Sequence, residues 1–461
     1  MADGTLAPPG KPQDGLFSRP YAVATICFSA TMFLTGFAAL AVVPTLPTAA
    51  RELDGVSLFP LVAGSFVAAS LLGGVLGGNW ADRAGARRPL AAGMALTVVT
   101  LLVAASSTTI WQLVAGRFLD GLAAGMVAVS INTAIGEAYP DRLRPRAMAL
   151  MSTSWVIPSL TGPPLAGLVT EWWSWRAVFY VLAALTVLPS LALVVVVRKR
   201  AWAGGDAPVD EKAPRPALFT AAVVSVGAAL GQYGVSGWSP QHGIFALGAL
   251  ALLAVLAPRL LPPGTWRAAR GLPATVLLRG MGSGTFFTIE AFVPLMLIDA
   301  RGAPAVTVGL FFTGAAVIWA AASFVQGRLL EHWPRHRLVA IGSVLLALAV
   351  AIAVVGTLPE VPRLTAGAAM LVAAAGMGVL EPSLVVLSLS HSPPGRRGYA
   401  SGAMQTTMNL GQITVLGLFA AALNVGLAAG VDDMTGYALA FALLLVPGSL
   451  PLLLSGRVRA G

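Results

Sequence analysis

Fourteen stretches of apolar residues follow one another along this chain, separated by short polar breaks. They run near 21–47, 57–81, 88–107, 110–137, 146–170, 176–197, 216–235, 242–261, 272–298, 304–328, 337–357, 364–390, 399–428 and 435–456. A helix that crosses the hydrocarbon of a bilayer takes about 20 such residues. Backbone in lipid must satisfy its hydrogen bonds internally, which a helix does and an open strand does not. The pattern therefore predicts an all-α integral membrane protein of fourteen helices. One break is longer than the rest: it runs from Arg198 to Arg215 and carries Asp206, Asp210, Glu211 and Lys212. The seventh and eighth runs, which follow it, carry the weakest pattern.

Charge tests the count. If both termini are cytoplasmic, alternate breaks share a side. One side then holds Arg83/Arg87/Arg88, Arg142/Arg144/Arg146, Arg198/Lys199/Arg200, Arg259/Arg267/Arg270, Arg335/Arg337 and Arg396/Arg397, while the other holds Arg51, Arg176, Arg301 and Arg363. Cytoplasmic loops are enriched in Arg and Lys, so the basic side is read as cytoplasmic. Removing one helix scrambles this order. Removing the seventh and eighth together leaves it intact, which keeps a twelve-helix alternative open.

Composition agrees: 57% of the 461 residues are hydrophobic and 10% charged, against about 25% charged in soluble domains. The net charge of +10 lies in the breaks and reports topology rather than nucleic-acid binding. The single cysteine, Cys27, offers neither a disulfide nor a thiolate metal site. The first twenty residues lack the features of a secretory signal, so the first apolar run is expected to remain in the mature protein.

An internal repeat divides the chain. Gly78-Asn79-Trp80-Ala81-Asp82-Arg83-Ala84-Gly85-Ala86-Arg87-Arg88 is echoed by Gly327-Arg328-Leu329-Leu330-Glu331-His332-Trp333-Pro334-Arg335-His336-Arg337, and Pro140–Ala147 by Pro393–Ala400. Repeated bundles are a common way to build alternating access around a central site. The expected organisation is a tail (1–20), an N-terminal six-helix bundle (21–198), a loop (199–215), an inserted helix pair (216–262), a C-terminal six-helix bundle (263–457) and a short tail (458–461).

These residues resemble the major facilitator superfamily. Gly78, Asp82, Arg83, Gly85, Arg87 and Arg88 match its cytoplasmic loop signature, with Ala86 where a basic residue is commoner, and Glu331 stands at the repeated acidic position. The resemblance implies a gating latch. Arg117-Phe118-Leu119-Asp120-Gly121 is similar to the family's intramembrane arginine motif, with Asp120 in place of glutamine. Gly162-Pro163-Pro164-Leu165-Ala166-Gly167 resembles the motif of exporters that run as antiporters, with Ala166 for the usual second glycine. Trp175-Arg176-Ala177-Val178-Phe179 resembles a stretch of drug exporters. Fourteen helices with a central inserted pair are similar to the drug:proton antiporter branch; the first-helix acid of some of its members is missing here. The resemblance implies a major-facilitator-type fold that usually works as a monomer.

Charges at membrane depth are costly and usually functional. Glu290, in Thr285-Phe286-Phe287-Thr288-Ile289-Glu290-Ala291-Phe292, has no basic residue within two turns and is the first choice for proton coupling, followed by Glu381 and the Arg117/Asp120 pair; Glu137 lies near a cytoplasmic helix end. A cavity for varied apolar ligands is expected to draw on aromatic, amide and methionine side chains. The candidates are Phe66, Asn132, Trp155, Phe286, Phe287, Phe292, Trp319, Met404, Gln405, Met408, Asn409 and Gln412.

No HExxH, Walker-type loop or convincing Gly-x-Ser-x-Gly elbow is present, and the four histidines are scattered. Gly280-Met281-Gly282-Ser283-Gly284 imitates a nucleotide loop without the strand–turn–helix setting that such a loop needs. A non-enzymatic, proton-driven exporter of hydrophobic or amphipathic compounds is expected, with no cofactor. Its partners are the lipophilic substrate, protons and the lipid bilayer. The abundance of arginine, alanine and glycine points to a bacterial inner membrane. A lipid flippase of the same fold is the alternative, and a non-transporting receptor or scaffold the second.

Overall fold

A computed structural model describes residues 15–140, 156–198, 218–237, 239–330, 332–392 and 397–459, with isolated positions between 143 and 154. Its long helices are α1 (Ala22–Ala41), α2 (Phe59–Ala84), α3 (Arg87–Ala105), α4 (Ile110–Ala138), α5 (Val156–Trp172), α6 (Trp175–Arg198), α7 (Leu218–Gly234) and α8 (Pro240–Leu260). The second half continues with α9 (Leu272–Leu295), α10 (Ala305–Arg328), α11 (Arg335–Val355), α12 (Thr365–Ser390), α13 (Arg397–Ala428) and α14 (Asp433–Leu454). Each falls on one of the fourteen apolar runs. Among the described residues, ten stretches are long and apolar enough to cross a membrane, and three shorter apolar ones include α7 and most of α8.

Helices pack closely where glycine removes the side chain. A Cβ on Gly121 would lie 2.1 Å from the Phe66 carbonyl oxygen, and one on Gly125 2.1 Å from that of Ser70, so α4 lies directly on α2. In the C-terminal half, Gly284 and Gly411 leave the same room between α9 and α13. In lipid there is no hydrophobic gain from joining two apolar helices, so such close backbone approach is a main source of association. The glycines of the false nucleotide loop are explained here: Gly280 and Gly284 face α13, while Gly282 faces Leu380 and Met377 of α12.

The two halves touch along two edges, α2 with α13 and α5 with α10. Away from the basic loops, at the opposite end, they are bonded directly. Arg51 Nε donates to Asp299 Oδ1 at 2.9 Å, and the Val306 amide donates to Glu171 Oε1 at 2.9 Å. Asp299 sits on a π-turn, Met296–Ala300, that ends α9 beyond Pro294. Thr313 Oγ1 donates to the Leu160 carbonyl at 2.7 Å. One continuous apolar core joins both halves, whereas a second, around Phe28, Leu90, Ile131 and Tyr139, belongs to the basic end of the N-terminal half alone.

The inserted helix α7 lies across the α2–α13 edge. Ser225 Oγ donates to the Ala68 carbonyl of α2 at 2.6 Å, and Gln232 Nε2 to the Ile413 carbonyl of α13 at 2.7 Å. Gln232 is wedged between Gly64 and Gly417, one from each half. Asn424 Nδ2 adds a bond to the Val235 carbonyl at 2.7 Å.

A branched side chain at Gly125 must push α4 off α2. Gly125→Val is therefore expected to lower the apparent melting temperature in detergent, by the equivalent of about 1–3 kcal/mol for overpacking. Gly243→Val, where nothing lies within 4 Å of the added Cβ, should leave the melting temperature within about 0.5 kcal/mol of wild type. Fluorescence-detected unfolding checks both.

Candidate transport site

The motif residues fall at the ends and seams of the bundle. Gly85 follows the end of α2 at φ +74°, a left-handed conformation that glycine adopts without strain; the loop signature needs its second glycine for this turn. The next amide, of Ala86, donates to Glu137 Oε1 on α4 at 3.1 Å. A carboxylate thus caps the start of α3 where orphan N–H groups accumulate. Gly78 lies beside Val129, Arg83 and Arg88 are exposed, and Arg87 is half-buried. The side chains of Asp82 and Asn132, and residues Trp155 and Glu331, lie outside the described residues. In the repeated loop, Arg335 Nη1 donates to Gln326 Oε1 at 2.8 Å, and Ser383 Oγ donates to the same oxygen at 3.3 Å.

The antiporter-like motif forms the α5–α10 seam. A Cβ on Gly167 would sit 2.7 Å from the Ala305 carbonyl oxygen, and one on Gly309 2.6 Å from that of Pro163. Gly162 lies against Ala41 of α1. These small residues bring the two halves into backbone contact.

Arg117 and Asp120 form an ion pair at 2.9 Å, with side chains 4% and 8% exposed. Phe66 covers it: the guanidinium carbon stands 4.4 Å from the ring centroid. Thr100 of α3 faces the other Asp120 oxygen. The pair is thus enclosed by α2, α3 and α4 inside the N-terminal half, and Phe66 packs on it.

The C-terminal half has a second pair that the sequence reading missed. Arg279 Nη2 donates to Glu381 Oε1 at 2.5 Å and lies 3.6 Å from Met408 Sδ. Arg279 was legible as a lone positive charge inside an apolar run; its partner, on α12, was not. Glu381 therefore has a fixed counter-ion. Glu290 has no hydrogen bond or ion pair among the described residues. Phe286 stands edge-on to Trp319 of α10 with centroids 5.0 Å apart, and edge-on to Phe287 at 5.1 Å. Phe292 instead joins Phe59, Phe419 and Phe441 in the core. Met404, Asn409 and Gln412 are buried on α13, Met408 is half-buried and Gln405 exposed.

Arg279, Ser283, Phe286 and Glu290 share one face of α9, since eleven residues make about three turns. Gly280 and Gly284 turn to α13, Gly282 to α12, and Thr285 to Gly448 of α14. The stripe thus points away from α14. The halves meet along α2–α13 and α5–α10; α9 lies beside α13, and α12 beside α10. The α9–α12 face accordingly stands between the two seams, opposite the N-terminal half.

The pair in the N-terminal half yields a prediction. Arg117→Ala strands Asp120 in the bundle and is expected to destabilise by roughly 3–5 kcal/mol, while Arg117→Met with Asp120→Leu removes both charges and recovers most of that loss. Melting curves of the three proteins in one detergent decide it.

Comparison with known proteins identifies the family and the fold. A model of the Major Facilitator Superfamily matches residues 28–416. A probable multidrug-efflux transporter of Mycobacterium tuberculosis (strain ATCC 25618 / H37Rv) is 26% identical over 430 residues, covering 87% of this chain and 88% of that one. The methylenomycin A resistance protein of Streptomyces coelicolor (strain ATCC BAA-471 / A3(2) / M145) is 25% identical over 382 residues, covering 81% and 78%. A crystal structure of the peptide transporter POT with sulfate superposes with TM-score 0.71 over 98% of both chains at 16% identity. A D-xylose-proton symporter gives 0.61 over 92% of this chain and 96% of that one, also at 16%. The chain is a multi-pass membrane protein and belongs to the Major Facilitator Superfamily, a family of transporters.

Proposed function

We propose that this protein exports lipophilic small molecules from a bacterial cytoplasm in exchange for protons, with Glu290 as the proton-carrying group. The observation that supports this most is the isolation of Glu290: a carboxyl group on the inward face of α9 with no counter-ion or hydrogen bond among the described residues. A partnerless carboxyl in hydrocarbon is costly when charged and cheap when neutral. Proton binding therefore changes how easily the α9 face is closed away from water. Glu381 is held by Arg279 and serves the cycle less directly, while Arg117–Asp120 is enclosed within the N-terminal half. The names of the relatives, multidrug-efflux transporter and methylenomycin A resistance protein, support the substrate class and the outward direction.

Alternating access supplies the mechanism. The bonds Arg51–Asp299 and Glu171–Val306 hold the halves together at the end away from the basic loops. With the basic end cytoplasmic, the site then opens toward the cytoplasm, where substrate enters. Breaking those bonds and closing the basic end turns the site outward. Proton entry at Glu290 and substrate exit follow, and the proton gradient drives the return. No cofactor takes part.

A second reading, transport of lipid, has one observation in its favour. A cavity of about 370 Å³, lined by Leu61, Trp111, Phe118, Tyr233 and Phe245, lies between the inserted pair and α2/α4. Its lining is almost wholly apolar.

The test is proton flux in proteoliposomes holding a pH-sensitive dye, challenged with a panel of lipophilic compounds and labelled lipids. Substrate-dependent flux is expected in wild type and is expected to fall to the rate of protein-free vesicles in Glu290→Gln. Movement of a labelled lipid between leaflets, with no compound moving protons, would replace drug export with lipid transport.

A further inference from the structure

We infer that the α9 stripe is an anion-recognition site, and that the preferred substrates are amphipaths carrying a carboxylate on an aromatic body. The inference rests on the export reading above and names its substrate class.

Three side chains on one face of α9 have unused polar capacity. Arg279 is buried, yet only Nη2 is engaged; Nε and Nη1 have no partner. Ser283, one turn on, is buried with its hydroxyl unpartnered, although its helix offers a carbonyl four residues back. Glu290 follows two turns later. Buried N–H and O–H groups in hydrocarbon are costly when unpaired, and native interiors leave few of them so. Their concentration on the face turned to the space between the halves is what a site awaiting a polar ligand needs. Arg117 also has an unpartnered Nε, but it is enclosed by its own half with Phe66 stacked on it, so the difference between the two arginines is where they face.

The charge of the missing group follows from the donors. Nε–H and Nη1–H of the guanidinium, on its two sides, and the hydroxyl nearby all donate, so single charge-assisted bonds from them suit an anionic oxygen rather than an ammonium. Glu381 needs only Nη2, so the ion pair stays intact while a second carboxylate binds. The aromatic pair Phe286–Trp319, with Phe287, lies farther along the same stripe and offers edges and faces to a ring. A carboxylate has a further advantage as cargo. With the interior negative, moving one negative charge outward is downhill, so proton entry and anion exit are both favoured by the membrane potential.

The test uses three fluorescent probes of one body: 1-pyrenebutyrate, 1-pyrenebutanol and 1-pyrenebutylammonium. Binding is measured on the purified full chain in detergent with no gradient, and proton flux in proteoliposomes. Wild type is expected to bind the butyrate about tenfold more tightly than the alcohol, with the amine weakest. Arg279→Gln should erase that order, Arg279→Lys should keep part of it, and Ser283→Ala should narrow it about threefold. The double variant Arg279→Met/Glu381→Met removes both charges together, which protects the fold, and should bind all three probes alike. Butyrate binding no better than alcohol binding in wild type overturns the inference, as does an unchanged preference in the double variant. If the alcohol or amine drives proton flux while the butyrate does not bind, export stands and the anion site falls. If the butyrate binds with the expected preference yet no probe drives flux, the anion site stands and proton-coupled export falls.

Discussion

A charge in hydrocarbon must find a partner, be neutralised by gaining or losing a proton, or leave. That constraint arranges the interior of this protein. Arg117 and Asp120 answer it by pairing three residues apart on one helix under an aromatic lid. Arg279 and Glu381 answer it by pairing across two helices. Glu290 has no such partner among the described residues, which is why it is the group proposed to bind a proton. The three arrangements differ in place: one pair is enclosed within the N-terminal half, one stands on the face between the seams, and the lone carboxyl is the group proposed above to exchange protons.

The alternation proposed above needs the halves to separate without falling apart, and the contacts between them are of two kinds. At the end away from the basic loops the joins are exposed or half-buried polar bonds such as Arg51–Asp299, whose side chains are 46% and 27% exposed. Exposed pairs of this kind contribute little stability and break readily. Backbone-against-backbone contact at glycine occurs within each half, at Gly125 and Gly284, and also across the α5–α10 seam, at Gly167 and Gly309. The inserted helix α7 bonds to both halves, through Ser225 to α2 and Gln232 to α13. It therefore lies along the α2–α13 seam between the halves.

Helix number and order were legible in the sequence because lipid leaves a backbone few choices: each apolar run had to become a helix. The turn at Gly85 was legible for a similar local reason, as the motif glycine sits at a φ that other residues resist. Pairing across the bundle was not. Glu381 reads as a lone acid until its helix is laid beside Arg279, 102 residues away. Phe66 reads as a cavity aromatic for the same reason, though it covers an arginine. Gln232 carries no signal at all in a weak apolar run; only the meeting of Gly64 and Gly417 gives it a place. Glu290 was legible because its isolation is itself a sequence property, the nearest basic residue on α9 being Arg279, three turns off.

The state of that carboxyl group is the most direct observable. Infrared difference spectroscopy on the protein in lipid, recorded on adding a transported substrate, reads protonated carboxyl groups through their carbonyl stretch. Proton–substrate exchange at Glu290 predicts a protonated-carboxyl band that is lost as substrate binds and is absent from Glu290→Gln. A band that persists in Glu290→Gln, or one that substrate leaves untouched, would contradict it.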